Sequence, residues 1–406
     1  MPEADGQPSV DGQVDTDKGL AFLDGALDGA LDGALNGALD GALDGALDGA
    51  LDGALDGALD GALDASKSDL TTPSPLAISP STAYAPSGSE IHFKAVGGSG
   101  AFTFSLEKGS KSVVSSAGVL QSSGPGELTI RVTDGAGDYA EAQVVVFALS
   151  DHPTLGLWLS ADTLLPALGD GAHVASWNDR SARKNDMLQA DESRRPTLRH
   201  AALNGLPVVD FNGVQFLKHP SYVPVTGAAP RSVIAVVSDI TPQGGRSPVC
   251  AWGDSAAYRN GFGLGVSAAN GRHSVDSTFV ADVHSISEAS ASTVIARPKR
   301  PYLVVAEYDG QALDQQVNGV WSGRKLEVLD TRSRVPLEVG AWHLIAISSL
   351  YDFYRGSIAE LMVFEGASRG SPFVETLCYL SRKYDIPILS PPSRQEKHCP
   401  SSQGVG

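Results

Sequence analysis

The sequence predicts a mostly-β protein: a small β sandwich, then a larger antiparallel jelly-roll sandwich, both behind an acidic low-complexity segment. Three observations carry this. Short apolar runs alternate with polar residues at period two, as in Leu155–Leu159 and in Leu128, Ile130 and Val132. Glycine turns recur about every ten residues between Ser87 and Phe147. Five Asn-Gly pairs, at 204–205, 212–213, 260–261, 270–271 and 318–319, fall in the larger part, and Asn-Gly readily takes the left-handed turn of a hairpin.

The chain opens on an acidic leader. Residues 1–64 hold 15 acids against Lys18 alone, which leaves the rest of the −17 net charge close to zero. From Leu23 the tetrapeptide Leu-Asp-Gly-Ala repeats, with Asn36 once in place of Asp. A period of four drifts around a 3.6-residue helix, and its glycines oppose helix formation by about 1 kcal/mol each. As a strand the repeat would stack like charges. Residues 1–65 are therefore expected to be a disordered or weakly helical spacer. Residues 66–86, rich in Ser, Thr and Pro, read as a hinge.

Residues 87–150 read as a β domain of about six short strands without a cysteine pair, so packing alone must hold its core. The large domain is expected over 151–390. Its strand candidates include Ser232–Val237, Gly261–Val266, Leu303–Tyr308, Gln316–Val320 and Ile358–Phe364. Leu157 and Leu159 alternate with Trp158 and Ser160, which predicts one core-facing side. Val174, Ser176 and Asn178 alternate with Ala175 and Trp177 in the same way. Phe373, Leu377, Leu380 and Tyr384 recur at spacings of four, three and four, the signature of one helix, which Pro387 stops. Residues 391–406 read as a loose tail.

Several motifs carry a family resemblance. LWLSAD, VASWNDRSARKND, RPTL and NGLPVVDFNG, followed by PYLVVAEYDG, QQVNGV, LEVGAW, GSIAELMVF and YLSRKYDI, resemble the concanavalin A-like lectin/glucanase superfamily in its bacterial laminin-G-like branch. The resemblance covers about residues 153–387. It departs from the family where Ser181 is followed by Ala182 and Arg183 in place of glycine. GGSGAFTFSL and LTIRVTDGAGDYAEAQVVV resemble a bacterial immunoglobulin-like surface domain. The first resemblance implies a jelly-roll domain that binds carbohydrate or a cell-surface protein, and relatives of this kind often hold calcium.

The residues themselves argue against several chemistries. The Glu-x-Asp-x-x-Glu run of the superfamily's glucanases, which sets two carboxylates on one strand face, is absent. So are Gly-x-Ser-x-Gly and His-Glu-x-x-His. No catalytic residue is assigned. The expectation is a non-catalytic recognition protein, with a polysaccharide-degrading glycoside hydrolase or a purely structural surface protein as alternatives. Asp179, Asn185 and Asp186 are calcium candidates, since loop oxygens are what Ca²⁺ takes. The alternative is that Asp179 and Asn185 satisfy loop amides. Trp252 and Trp321, beside turns, and Asn178 are the ligand-binding candidates, with Tyr258, Arg231 and Arg259 weaker.

No clustered basic surface points to nucleic acid, and no apolar run is long enough to span a bilayer. The acidic start carries no signal segment. It resembles the linker after the lipidated cysteine of bacterial surface lipoproteins, which implies an extracellular or outer-membrane surface location. Cys250 and Cys378 sit in apolar contexts and read as buried thiols, and Cys399 as a free one.

Overall fold

Among the described residues strand follows strand because the alternation seen in the sequence is real. A computed structural model describes residues 74–388, except 110, 166, 242–245, 255–258, 269–276, 283–289, 297–299, 345–349 and 367–372. The leader with its repeat, the Asn270-Gly271 pair, Tyr258 and the tail with Cys399 lie outside the described residues. The chain is mostly β and sandwich-like, as the sequence predicts.

The small module begins earlier than expected. Ala77–Ser79 and Thr82–Pro86 are strands, within the stretch read as hinge. Thr82–Pro86 runs parallel to Tyr139–Phe147, and Gly126–Thr133 and Thr103–Lys108 complete that sheet. The Ser/Pro content hid this strand, whose partner lies far along the chain and satisfies its backbone from a distance. Glu90–His92, Val119–Gln121 and Val113–Val114 form a second sheet. Phe93, Leu120, Leu128, Ile130, Val132, Val144 and Val146 fill the core between them. No disulfide is needed where this much apolar side chain is buried.

Two eight-stranded sheets make the large domain. In the first, Thr197–Leu203, Leu206–Asn212, Arg355–Phe364, Arg231–Ser238, Tyr302–Tyr308, Ala312–Val317 and Val320–Leu326 lie side by side. Leu155–Ser160 also pairs with Arg355–Phe364, along the half of its edge that Leu206–Asn212 leaves open. The second sheet runs from Ser176–Trp177 through Met187–Leu188, Leu217–Lys218, Glu338–Val339, Arg246–Gly253, Gly261–Ala268 and Ser277–Asp282 to Ser290–Ala296. Two Asn-Gly pairs behave as predicted: Asn204 (φ 48) with Gly205 (φ 73), and Asn318 (φ 48) with Gly319 (φ 86), turn consecutive strands. The second of these cuts the expected Gln316–Val320 strand in two, because Val317 pairs with Val320 across it. The expected strand around Val174–Asn178 shrinks to Ser176–Trp177.

The core between the sheets takes Leu157, Leu159, Trp177, Val209, Val233, Trp252, Phe262, Val304 and Leu361. The outer face of the first sheet is buried too, a difference from the one-sided alternation expected at Leu155–Ser160. All six residues of that strand are buried. Trp158, Ile234, Val236, Leu303, Val305 and Met362 form a second apolar layer. The helix Phe373–Lys383 (α1) covers it with Phe373, Leu377 and Leu380, joined by Phe147 and Leu149 from the end of the small module. The two parts expected as separate domains thus share one apolar layer, and the described residues between 74 and 388 form one compact unit.

Candidate functional site

The loop from Trp177 to Met187 is a hydrogen-bonded knot. Asp179 is buried, and its carboxylate accepts four hydrogen bonds. Oδ1 takes the amides of Trp158 and Ser181, both at 2.8 Å. Oδ2 takes the Ser181 hydroxyl at 2.6 Å and the Asn185 amide at 2.8 Å. A carboxylate offers about four lone-pair sites, so none remains for a cation. Asp186 Oδ1 accepts the Asp179 amide at 2.8 Å, and Asn185 Nδ2 donates to the Gly156 carbonyl at 2.8 Å. The calcium expectation for Asp179, Asn185 and Asp186 is corrected accordingly: these side chains hold the loop to the strand Leu155–Ser160. Among the described residues no group of three or more His, Cys, Asp or Glu side chains is placed to hold a metal.

The tryptophan expectation also changes. Trp252 is fully buried between the sheets, its Nε1 donating to the Val225 carbonyl at 2.9 Å and its ring tilted against Phe262. Proximity to a turn did not decide its exposure; its inward position on the strand Arg246–Gly253 did. Trp321 is half-buried on the strand Val320–Leu326, against the outer apolar layer. The two rings therefore belong to different layers and do not share a binding face. Asn178 is exposed, with Oδ1 accepting from Ser176 Oγ at 3.1 Å. Arg231 is fully buried and donates to the carbonyls of Val225, Gly227 and Ala229 and to Thr331 Oγ1. It clamps a loop, and burial pulls its guanidinium down to about 10. Arg259 pairs with the buried Glu327 at 2.6 Å.

The concave site that the fold builds lies elsewhere, at the seam where the small module meets the large domain. Against the outer apolar layer lies the buried acid Glu360, on the strand Arg355–Phe364. A buried charge must be paired and hydrogen-bonded, and Glu360 is. Its Oε1 accepts Trp158 Nε1 at 2.7 Å. Its Oε2 accepts Lys383 Nζ and the Tyr384 hydroxyl, each at 2.8 Å. Lys383, in the last turn of α1, also reaches Asp162 Oδ2 at 2.5 Å and Ser160 Oγ at 3.3 Å. Burial alone would lower the Lys383 ammonium, but Glu360, the two tyrosines and Asp162 outweigh it and hold it well above the usual lysine value. Burial and then Glu360 push the Tyr384 phenol well above its ordinary value.

Against this anchored base opens a cleft of about 700 Å³. Strand Thr82–Pro86 and residues 88–92 wall one side; Asp162, Arg180, Tyr379, Arg382 and Asp385 wall the other. Tyr84 and Tyr379 present half-buried rings. Arg382 donates to the Thr82 carbonyl, its guanidinium 5.5 Å from the Tyr84 ring centre, which fixes that wall. Arg180 lies 4.0 Å over the Trp158 ring. Two buried oxygens of cleft residues, Thr82 Oγ1 and Asp162 Oδ1, accept or donate no hydrogen bond within the protein. Both atoms lie beneath the cleft surface, not on it. The cleft was not found in the sequence, because its walls come from three distant stretches. The available signal was the Arg382-Lys383 pair at the end of an otherwise core-facing helix.

No family model matches the chain, and no curated protein does. Solved structures similar to it include domain 4 of the GH43 extracellular arabinanase AbnA of Geobacillus stearothermophilus in complex with arabinotriose. That match has 14% identity and a TM-score of 0.35, over 55% of this chain and 98% of the other. Trypanosoma rangeli sialidase matches at 15% identity and a TM-score of 0.38, over 62% of this chain and 35% of the sialidase. The CBM40 of the Ruminococcus gnavus IT-sialidase, bound to α2,3 sialyllactose, matches at 11% and 0.32, over 42% and 95%. At these scores the likeness assigns neither family nor function. Among the described residues no helix is long and apolar enough to cross a membrane.

Proposed function

We propose that this protein is a non-catalytic, exported recognition protein that binds carbohydrate in the seam cleft. The observation that carries the reading is the cleft's lining. Two half-buried tyrosine rings, Tyr84 and Tyr379, share one open space with the charged side chains of Arg180, Arg382, Asp162 and Asp385. Sugars present apolar ring faces edged with hydroxyls, so a site for them needs flat aromatic surface with convergent donors and acceptors. The sequence resemblance to the laminin-G-like branch fits this, though the site is not on the turns the sequence singled out.

Binding is favoured over hydrolysis by the state of the acids. Asp162 is tied to Lys383, Glu90 to His92, and Glu360 behind them to three donors. That leaves Asp385 as a single carboxylate at the cleft, where glycoside hydrolysis uses a pair. Export is supported by Cys378, expected as a buried thiol, which is buried but disulfide-bonded, since such bonds persist in oxidising compartments. Cys250 is free and buried.

The test is a glycan array probed with the full chain, followed by titration of the best oligosaccharide into wild type and Tyr84→Ala. Loss of the ring should weaken binding by about 1–3 kcal/mol. Reducing ends should not accumulate on prolonged incubation. Release of sugar would instead favour the hydrolase.

A further inference from the structure

Resting on that cleft as the carbohydrate site, we infer that its ligand is an acidic saccharide whose carboxylate or sulfate group is taken by Arg180. Three cations line the cleft, and two are committed. Lys383 is held by Glu360 and Asp162. Arg382 is bonded to the Thr82 carbonyl and set against Tyr84. Arg180 differs. Its guanidinium stacks on Trp158 at 4.0 Å, yet makes no ion pair or hydrogen bond to any described residue. Its position is nonetheless fixed from both ends. Its amide donates to the Trp158 carbonyl at 2.8 Å, and the ring beneath it is pinned by Trp158 Nε1 on Glu360. It follows Asp179 directly, so the knotted loop also sets its backbone.

A half-buried guanidinium with a fixed plane and uncommitted N–H donors recognises a planar or tetrahedral oxyanion through paired charge-assisted hydrogen bonds. A neutral sugar would leave that charge without an acceptor. The acids of the cleft do not supply one: Asp162 is turned to Lys383 and Glu90 to His92, and Asp385 lies beyond 4 Å from any Arg180 nitrogen, since no ion pair forms between them. The stacking on Trp158 holds the fork in place before the ligand arrives, which reduces the ordering cost of binding.

The experiment titrates the full chain with three oligosaccharide probes of matched length: a galacturonate oligomer, a sulfated galactan oligomer and a neutral galactan oligomer. Wild type should bind at least one acidic probe roughly 10–100-fold tighter than the neutral one, the range expected for a charge-assisted pair. That preference should shrink with added salt. The carboxylated and sulfated arms tell which oxyanion is preferred. Arg180→Gln should abolish the preference, its affinity for the acidic probe falling to about that for the neutral one. Arg180→Lys, which keeps charge without the stacked fork, should retain only part of it, and melting curves verify that both variants fold. An acid-to-neutral ratio unchanged in Arg180→Gln overturns the proposal, as does a wild type that prefers the neutral probe. If binding depends on Tyr84 but shows no preference for acid, the cleft stands and Arg180's role falls. If no probe binds, or binding ignores Tyr84, both readings fall.

Discussion

Asp179 shows how a residue that looks like a ligand turns out to be a fastener. Its four accepted hydrogen bonds join the amides of Trp158, Ser181 and Asn185 and one hydroxyl around a single buried carboxylate. Asp179→Ala leaves those donors unpaired, at a cost of about 2–4 kcal/mol for the group. Its melting temperature, and that of wild type, should be the same in calcium and in chelator; a calcium-dependent rise in wild type that the variant loses would restore the metal reading. Glu338 is a second residue with a definite consequence. It is 4% exposed, accepts the His343 amide at 2.7 Å, and burial pushes its carboxyl up to about 7, against the smaller opposing pull of that amide and of Lys218. The folded state therefore holds a proton that the unfolded chain releases near 4.5. Stability should fall as pH rises from about 4.5 to about 7, by about 3 kcal/mol for a shift of this size. Denaturant melts across that window should show the slope in wild type and a flatter profile in Glu338→Gln. The sequence showed that Asp179 mattered but not how, because ligand and fastener use the same oxygens. It showed nothing of Glu338, whose burial depends on the strands and hairpin around it.

At the scale of elements, what alternates locally was legible and what pairs remotely was not. The strands Arg231–Ser238 and Tyr302–Tyr308 and the helix α1 fall within a residue or two of the apolar patterns that predict them, because strands buried on both faces read as short apolar runs and a helix with one buried face as a 3.6-residue period. Thr82–Pro86 was hidden, since its small residues pair in parallel with Tyr139–Phe147 and its Tyr84 packs on the outer layer. Trp252 was misjudged because a nearby glycine turn says nothing about which way a strand residue points. α1 itself depends on one polar contact within an apolar footing. Lys383→Met removes the ammonium and strands Glu360 in the core. The expected cost is about 3–5 kcal/mol in a denaturant melt, and Lys383→Met with Glu360→Gln should recover part of it. A single variant as stable as wild type would mean that Glu360 is not charged against Lys383.

In the whole molecule, the small module forms one wall of the seam cleft and is not a detached spacer. Phe147, Leu149 and Tyr84 carry it onto the apolar layer that α1 also covers, and Arg382 fastens it to the large domain. The cleft exists only because the two parts meet there, and its walls come from residues some 300 positions apart, such as Thr82 and Arg382. This is why motif reading, which works along the chain, placed the site on turns of the large domain alone. The most direct test of the central claim is a crystal structure of the protein with a bound oligosaccharide chosen from the array. A sugar ring against Tyr84, with polar groups within hydrogen-bond reach of Arg180, is the expected result. A sugar seated on another face, with the seam cleft unchanged, would contradict it.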